Sequence, residues 1–172
     1  MTRKASAEEV KEAYASSRLD MARFILVVFF LVGQRWRYII EKELEPDGIT
    51  AKQWLMAIVV ASGFKSPPSI QEVADALITT HQNVKQIAAS MERRGFMSLE
   101  RDEKNRRIIR LKVTGRCLAL FKKREEDTRA ILRLFKNLTN EEISTLFGII
   151  AKIDRQAGIL YGHAKNARGK KP

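Results

Sequence analysis

The sequence predicts a mainly α-helical chain with a single β-hairpin past its midpoint. Three observations carry this reading. Serine or threonine stands three residues ahead of glutamate or glutamine at Ser6/Glu9, Thr50/Gln53, Ser69/Glu72 and Thr139/Glu142, and each pair opens a stretch of helical apolar spacing. Apolar residues alternate with polar ones only around Leu99 and over Ile109, Leu111 and Val113, the period of a half-buried strand. The chain has 172 residues and one cysteine, which suits one domain, or two small ones sharing a core, with no intramolecular disulfide. At 45% hydrophobic residues it has enough apolar surface to fold without a metal staple.

The first helix is expected over residues 6–45. Its start is amphipathic, but Phe24 to Val32 is apolar on nearly every side. A helix without a polar face is buried all round, and in so small a protein that calls for a partner chain. The run is nine residues long, well short of the ~20 that span a bilayer. A membrane-surface role is the competing reading, but an interfacial helix should keep a polar face. Arg3 and Lys4 are followed by Glu8, Glu9 and Glu12, and the apolar run starts too late for an ordinary signal peptide, so a cytoplasmic protein is expected. Pro46, Asp47 and Gly48 break the helix.

A second helix follows Thr50, with Trp54, Leu55, Ile58 and Val59 as its apolar positions, and Gly63 to Pro68 ends it. Ile70, Val73, Ala74 and Leu77 mark a short third helix after Ser69. Thr80 caps a fourth, whose inner face is Val84, Ile87, Ala88 and Met91, and Gly95 ends it as a left-handed cap. Two strands then flank the charged loop Arg101-Asp102-Glu103-Lys104-Asn105-Arg106-Arg107. Thr114 caps a further long helix carrying Leu118, Phe121, Ile131, Leu132 and Phe135, which Asn137 breaks. The last helix starts at Thr139, with Ile143, Leu146, Phe147, Ile150 and Ile153 on one side. The segment 161–172 is small, polar and basic, and reads as a flexible tail.

Three helices followed by a hairpin, with a tight turn at Ile78-Thr79-Thr80, make a winged helix-turn-helix. In that motif the second helix of the pair enters the DNA major groove. Its exposed positions here include His81, Gln82, Asn83, Lys85 and Gln86, none of them acidic. Asn and Gln read adenine bidentately, and Lys reaches guanine or phosphate. Net charge is +12, and residues 69–116 hold ten basic against six acidic groups, the footprint of a nucleic-acid binder. Lys104, Arg106 and Arg107 of the loop complete the expected DNA-contacting set. The alternative is a winged helix that docks protein or RNA through its hairpin.

These stretches resemble the MarR-type regulators. Gly48-Ile-Thr-Ala-Lys-Gln-Trp54 looks like the family's approach to the winged helix. Ser69-Ile-Gln-Glu-Val-Ala-Asp-Ala-Leu77 is similar to its first motif helix, and Asn83-Val-Lys-Gln-Ile-Ala-Ala-Ser-Met-Glu-Arg-Arg-Gly-Phe96 to its recognition helix. Arg101 to Arg107 with Leu111-Lys-Val-Thr-Gly115 is similar to its wing. The resemblance implies a homodimer whose dimerisation domain is formed by the N-terminal helix (6–45) and the C-terminal helices (116–160), around a DNA-binding domain at 48–115. It implies a regulator, most often a repressor, bound to a pseudo-palindromic operator. It also implies release by a small aromatic or phenolic effector, for which Trp36, Arg37, Tyr38, Trp54 and Met56 are the candidates. Two departures stand out. The family's wing reads Asp-x-Arg, with the aspartate orienting neighbouring basic groups; here Asn105 precedes Arg107 and cannot form that ion pair. The glycine common in the turn before the recognition helix is Ile78 here, which points to a differently shaped turn.

Nothing in the sequence suggests an enzyme or a cofactor. His81 and His163 are far apart, with no Cys or acidic cluster at metal-ligand spacing. There is no glycine-rich phosphate loop and no nucleophile elbow. Cys117 beside Arg116 reads either as a thiol of lowered pKa or, more simply, as a small buried apolar residue.

Overall fold

The structure, a computed structural model, describes residues 17–125 and 133–168, and the Ser6/Glu9 pair, Ile131 and Leu132 lie outside them. The chain divides into two compact units after Glu125. The first long helix and the winged helix share the first unit.

Helix α1 runs from Arg18 to Leu44. Ser17 caps it in extended conformation, its side chain accepting from the Asp20 amide at 3.1 Å, a start the sequence reading did not single out. Ile40 and Leu44 join the core. Ile25, Leu26, Val27, Phe29, Phe30 and Leu31 remain exposed within the chain, Phe30 at 70%. A single 3-10 turn, Glu45–Asp47, with Pro46 inside it, leads to Gly48 at φ 64°.

Helix α2, Ala51–Ser62, opens on the Thr50/Gln53 capping box. Its buried face is Ala51, Met56, Ala57 and Val60, while Leu55 is exposed. Of the apolar positions read from the spacing, Trp54, Ile58 and Val59 are half-buried and only Leu55 faces out. The stretch from Trp54 to Val60 is apolar all round, so spacing identifies the helix without fixing its rotation. Helix α3, Ile70–Ala76, has the Ser69/Glu72 box and buries Ile70, Val73 and Ala74. Helix α4, His81–Arg93, is capped by Thr80, whose hydroxyl accepts from the Asn83 amide, and buries Val84, Ala88 and Met91.

Both helices of the motif end alike. After α4 the Gly95 amide donates to Glu92 O at 2.8 Å and the Phe96 amide to Met91 O at 2.9 Å, with Gly95 left-handed at φ 71°. After α3 the Ile78 amide donates to Asp75 O at 3.2 Å and the Thr79 amide to Ala74 O at 2.9 Å. Ile78 takes φ 51°, the only described non-glycine residue with positive φ. The turn therefore keeps the left-handed shape a glycine would give it, which corrects the expectation of a different one. Holding an L-residue there costs roughly 1–2 kcal/mol, more than offsetting the ~0.5–1 kcal/mol of backbone entropy that glycine forfeits on folding. The Ile78 side chain is 65% exposed and returns little by burial. Ile78→Gly is thus expected to raise the thermal unfolding midpoint by about 2 °C, and a lowered midpoint would show that this side chain packs productively.

Strands β1, Met97–Arg101, and β2, Ile109–Val113, pair antiparallel with Met97 opposite Val113 and Arg101 opposite Ile109. The hairpin is stitched to the segment before α3: the Leu111 amide donates to Pro68 O at 2.8 Å, and Ser69 bridges Arg110. The core of the unit gathers Met56, Val73, Val84, Met91, Met97, Leu111 and Cys117, all at 2% exposure or less. Helix α5, Gly115–Glu125, starts at Thr114, whose hydroxyl accepts from the Cys117 amide at 3.3 Å. Phe121 packs on the core, but Leu118, expected on the same face, is exposed.

Arg94, just past α4, reaches back to the turn after α1. Its Nη2 donates to Asp47 O at 2.8 Å and its Nη1 to Gly48 O. A Cβ at Gly48 would come within 2.9 Å of Arg94 Nη2, the movable tip of a long side chain, so it is the positive φ that calls for glycine here. Arg94 and Arg116 both stack on the buried Phe96 ring, at 5.1 and 5.0 Å from its centre.

In the second unit, the Thr139 amide donates to Glu142 Oε2 at 2.7 Å and the Glu142 amide to Thr139 Oγ1 at 3.2 Å, completing the expected box. Helix α6 then runs from Asn140 to Arg168. Its extent corrects the expected flexible tail at least through residue 168. Ala164 and Ala167 are strong helix formers, and Lys165 near the helix end complements its dipole. Phe147, Ile149, Ile150, Ile153, Ile159 and Leu160 are exposed on it. Among the described residues no helix is long and apolar enough to cross a membrane.

Candidate nucleic-acid interface

The first turn of α4 presents His81, Gln82, Lys85 and Gln86 to solvent. No acidic residue lies in that turn, so nothing there repels a phosphate. Asn83 behaves differently from its neighbours. It is half-buried, and its Nδ2 donates to Thr79 Oγ1 at 2.9 Å. That bond commits half of the donor capacity a base contact would use. Sequence position alone made Asn83 and Gln82 equivalent; the structure leaves Gln82 as the less encumbered amide.

The loop between β1 and β2 is built on Asp102. Its Oδ1 accepts from the Lys104 amide at 3.0 Å and the Asn105 amide at 2.9 Å, and its Oδ2 accepts from Arg110 Nε at 2.8 Å. The Asp102 amide donates to Ile108 O and the Ile108 amide to Asn105 O, closing the loop. Arg101 Nη1 donates to Arg106 O at 3.0 Å. Lys104, Arg106 and Arg107 project from this frame, exposed. Among the described residues none of the three is paired with a carboxylate.

Arg110 also bonds Glu72 Oε2 at 3.0 Å, the same carboxylate that caps α3 by accepting from the Ser69 amide. The guanidinium and the amides around Asp102 hold its carboxyl below the usual carboxylate range. The Ser69 amide and hydroxyl do the same for Glu72, with a smaller contribution from Arg110. Between the two carboxylates, Arg110 is held in its charged form all the more firmly. Sequence reading missed Asp102, Arg110 and Glu72 as a set. The one available signal was an arginine on the polar side of β2 with an acidic residue just beyond the paired end of β1.

His81 and Lys85 from α4 meet Arg107, Ile108 and Ile109 from the hairpin and Ser69 to Gln71 from the start of α3 around one cleft of about 350 Å³. The structure thus brings three of the eight expected DNA-contacting residues to one concavity. Gln82, Gln86, Lys104 and Arg106 lie on the exposed surface but do not line it.

Solved structures match this architecture over most of the chain. A MarR protein from Peptoclostridium difficile DA00132 matches with a TM-score of 0.71 at 16% identity, over 81% of this chain and 91% of that one. A MarR mutant from E. coli complexed with operator DNA gives 0.67 at 18%, over 80% and 99%. Streptococcus pneumoniae FabT in complex with DNA gives 0.64 at 17%, over 81% and 99%. The fold is that of the MarR-type regulators. No family model matches the sequence.

Against the MarR-type wing pattern, Asn105 keeps part of the aspartate's work: its Oδ1 accepts from the Arg107 amide at 3.1 Å. The ion pair inside the wing is the one between Asp102 and Arg110. The expected effector contacts do not converge. Met56 is fully buried and Trp54 packs on the core. Trp36, Arg37 and Tyr38 are exposed on α1, where Arg37 donates to Gln34 at 2.7 Å and Tyr38 lines a shallow cleft with Glu41, Lys42 and Thr50. Cys117 is buried, and burial pushes its thiol pKa up, which favours the inert reading over the reactive one. No cluster of potential metal ligands occurs among the described residues.

Proposed function

We propose that this chain is a sequence-specific double-stranded DNA-binding transcriptional regulator, a repressor, that acts as a homodimer. The observation that carries the reading is the cleft where His81 and Lys85, on a helix with no acid in its first turn, face Arg107 of a basic wing. Phosphate contacts from lysine and arginine supply affinity and salt dependence, and the helix and wing supply sequence preference. Matched structures that are themselves DNA complexes support it.

Pairing of two chains gives the exposed apolar surface of α1 and α6 a role, because isolated patches of that extent mark association. A two-fold pair sets two recognition helices about 34–36 Å apart, one DNA turn. Release by a small aromatic effector would work through its differential affinity for the bound and free states. A regulator of this kind works in the cytoplasm.

The deciding experiment is selection of bound sequences from random duplexes. The expected result is a pseudo-palindrome with half-sites one turn apart. Recovery of no preferred sequence would sink the reading and favour a module that docks protein or RNA. With that operator in hand, Gln82→Ala should reduce discrimination against random duplex by about 1–3 kcal/mol while leaving non-specific binding nearly intact. Equal losses on both duplexes would remove base readout from Gln82.

A further inference from the structure

We infer that Arg110 is the positioning residue of the wing: its guanidinium sets the basic loop against the helix-turn-helix so that Arg107 faces the cleft shared with His81 and Lys85. This rests on the regulator reading above. The bonds form an unbroken series. Glu72, fixed at the start of α3 by the Ser69 amide, accepts from Arg110 Nη1 at 3.0 Å. Arg110 Nε donates to Asp102 Oδ2 at 2.8 Å, and Asp102 Oδ1 takes the Lys104 and Asn105 amides. Asn105 Oδ1 takes the Arg107 amide. Each link holds the next, and the series ends on the residue proposed to enter the groove.

Two features separate Arg110 from a phosphate contact. Its side chain is 30% exposed and sits between two carboxylates at 3.0 and 2.8 Å, so its charge is already met. It also uses both ends of a planar fork to join segments 38 and 8 residues away, which a lysine ammonium does not do from one site. The wing otherwise hangs on the ladder to β1 and the Leu111 bond to Pro68. Core burial of Met97 and Leu111 and the Leu99 amide bond to Glu92 Oε1 also hold its strands, and the Glu72 link is the side-chain tie that runs from α3 through Arg110 into the loop.

The test measures operator affinity against salt for the full chain. Arg110→Met is expected to weaken binding about tenfold, to flatten the salt slope no more than Arg107→Ala does, and to add neither loss nor further flattening on top of Arg107→Ala. Arg110→Lys is expected to behave like Arg110→Met, because charge without the fork does not bridge. A slope that falls further in the Arg107→Ala, Arg110→Met double variant than in Arg107→Ala alone would make Arg110 a phosphate contact of its own and overturn the inference. Losses that multiply with those of Arg107→Ala, or full rescue by lysine, would overturn it equally. If the wild type itself prefers no operator, the regulator reading fails instead, and hydrogen exchange in the free protein decides the tether. There Arg110→Met must speed exchange at the Lys104, Asn105 and Arg107 amides while Val84 and Ala88 stay protected; unchanged wing exchange overturns the tether.

Discussion

Leu111→Ala is expected to lower the stability of the chain by about 3 kcal/mol, within the range measured for fully buried leucines elsewhere. Leu111 has no exposed surface and belongs to the buried core that also holds Met56, Val73, Val84 and Met91. Its own amide donates to Pro68 O, so the residue also closes the join between the hairpin and the segment before α3. Truncation removes packing on every side, and the rigid ladder to Leu99 prevents the strand from collapsing into the space. Domains of this size hold only about 5–15 kcal/mol in total, so the loss is a large share. Urea unfolding at matched protein concentration measures it. A change below about 1 kcal/mol would mean that the hairpin is an appendage rather than part of the core.

Arg107→Ala is expected to have the largest effect on binding. The side chain is exposed, lines the cleft beside His81 and Lys85, and is paired with no carboxylate among the described residues. A wing arginine of this kind contributes about 1–3 kcal/mol, and a two-fold complex contains it twice. Its loss should flatten the dependence of log affinity on log salt by roughly 0.9 per contact removed. Titrations on the selected operator across a series of salt concentrations read both quantities. An affinity unaltered at every salt concentration would reject the wing as a DNA contact.

Local physics made much of this fold readable in advance. The boxes at Thr50, Ser69 and Thr139, the caps at Thr80 and Thr114 and the glycine cap at Gly95 each involve residues within a few positions of one another. Sequence spacing sees such pairs directly. The inner face of α4 was legible for the same reason, since its outer face is polar and fixes the rotation. Helix α2 offered no such reference, and its spacing did not single out Met56, Ala57 and Val60 as the buried face.

The candidate site divides in the same way. The exposed set on α4 and the basic loop could be named from order and composition, whereas the carboxylate pair that steadies the loop could not. Arg110 meets Glu72 across 38 residues, and the Pro68 bond to Leu111 spans a similar distance. Contacts of that separation leave no periodic trace. Ile78 failed as a guide for another reason. Tertiary context and two capping bonds impose a left-handed turn on a residue whose own preference runs against it.

The two bonds from Arg94 to Asp47 and Gly48 have a mechanical consequence. They rivet the trailing end of the recognition helix to the hinge at the foot of α1. The end of α4 and the foot of α1 are therefore fixed to each other at this point through a side chain on one side and two backbone carbonyls on the other. A methyl group at position 48 would strain its left-handed backbone and crowd the Arg94 guanidinium, loosening this join without altering any exposed residue of α4.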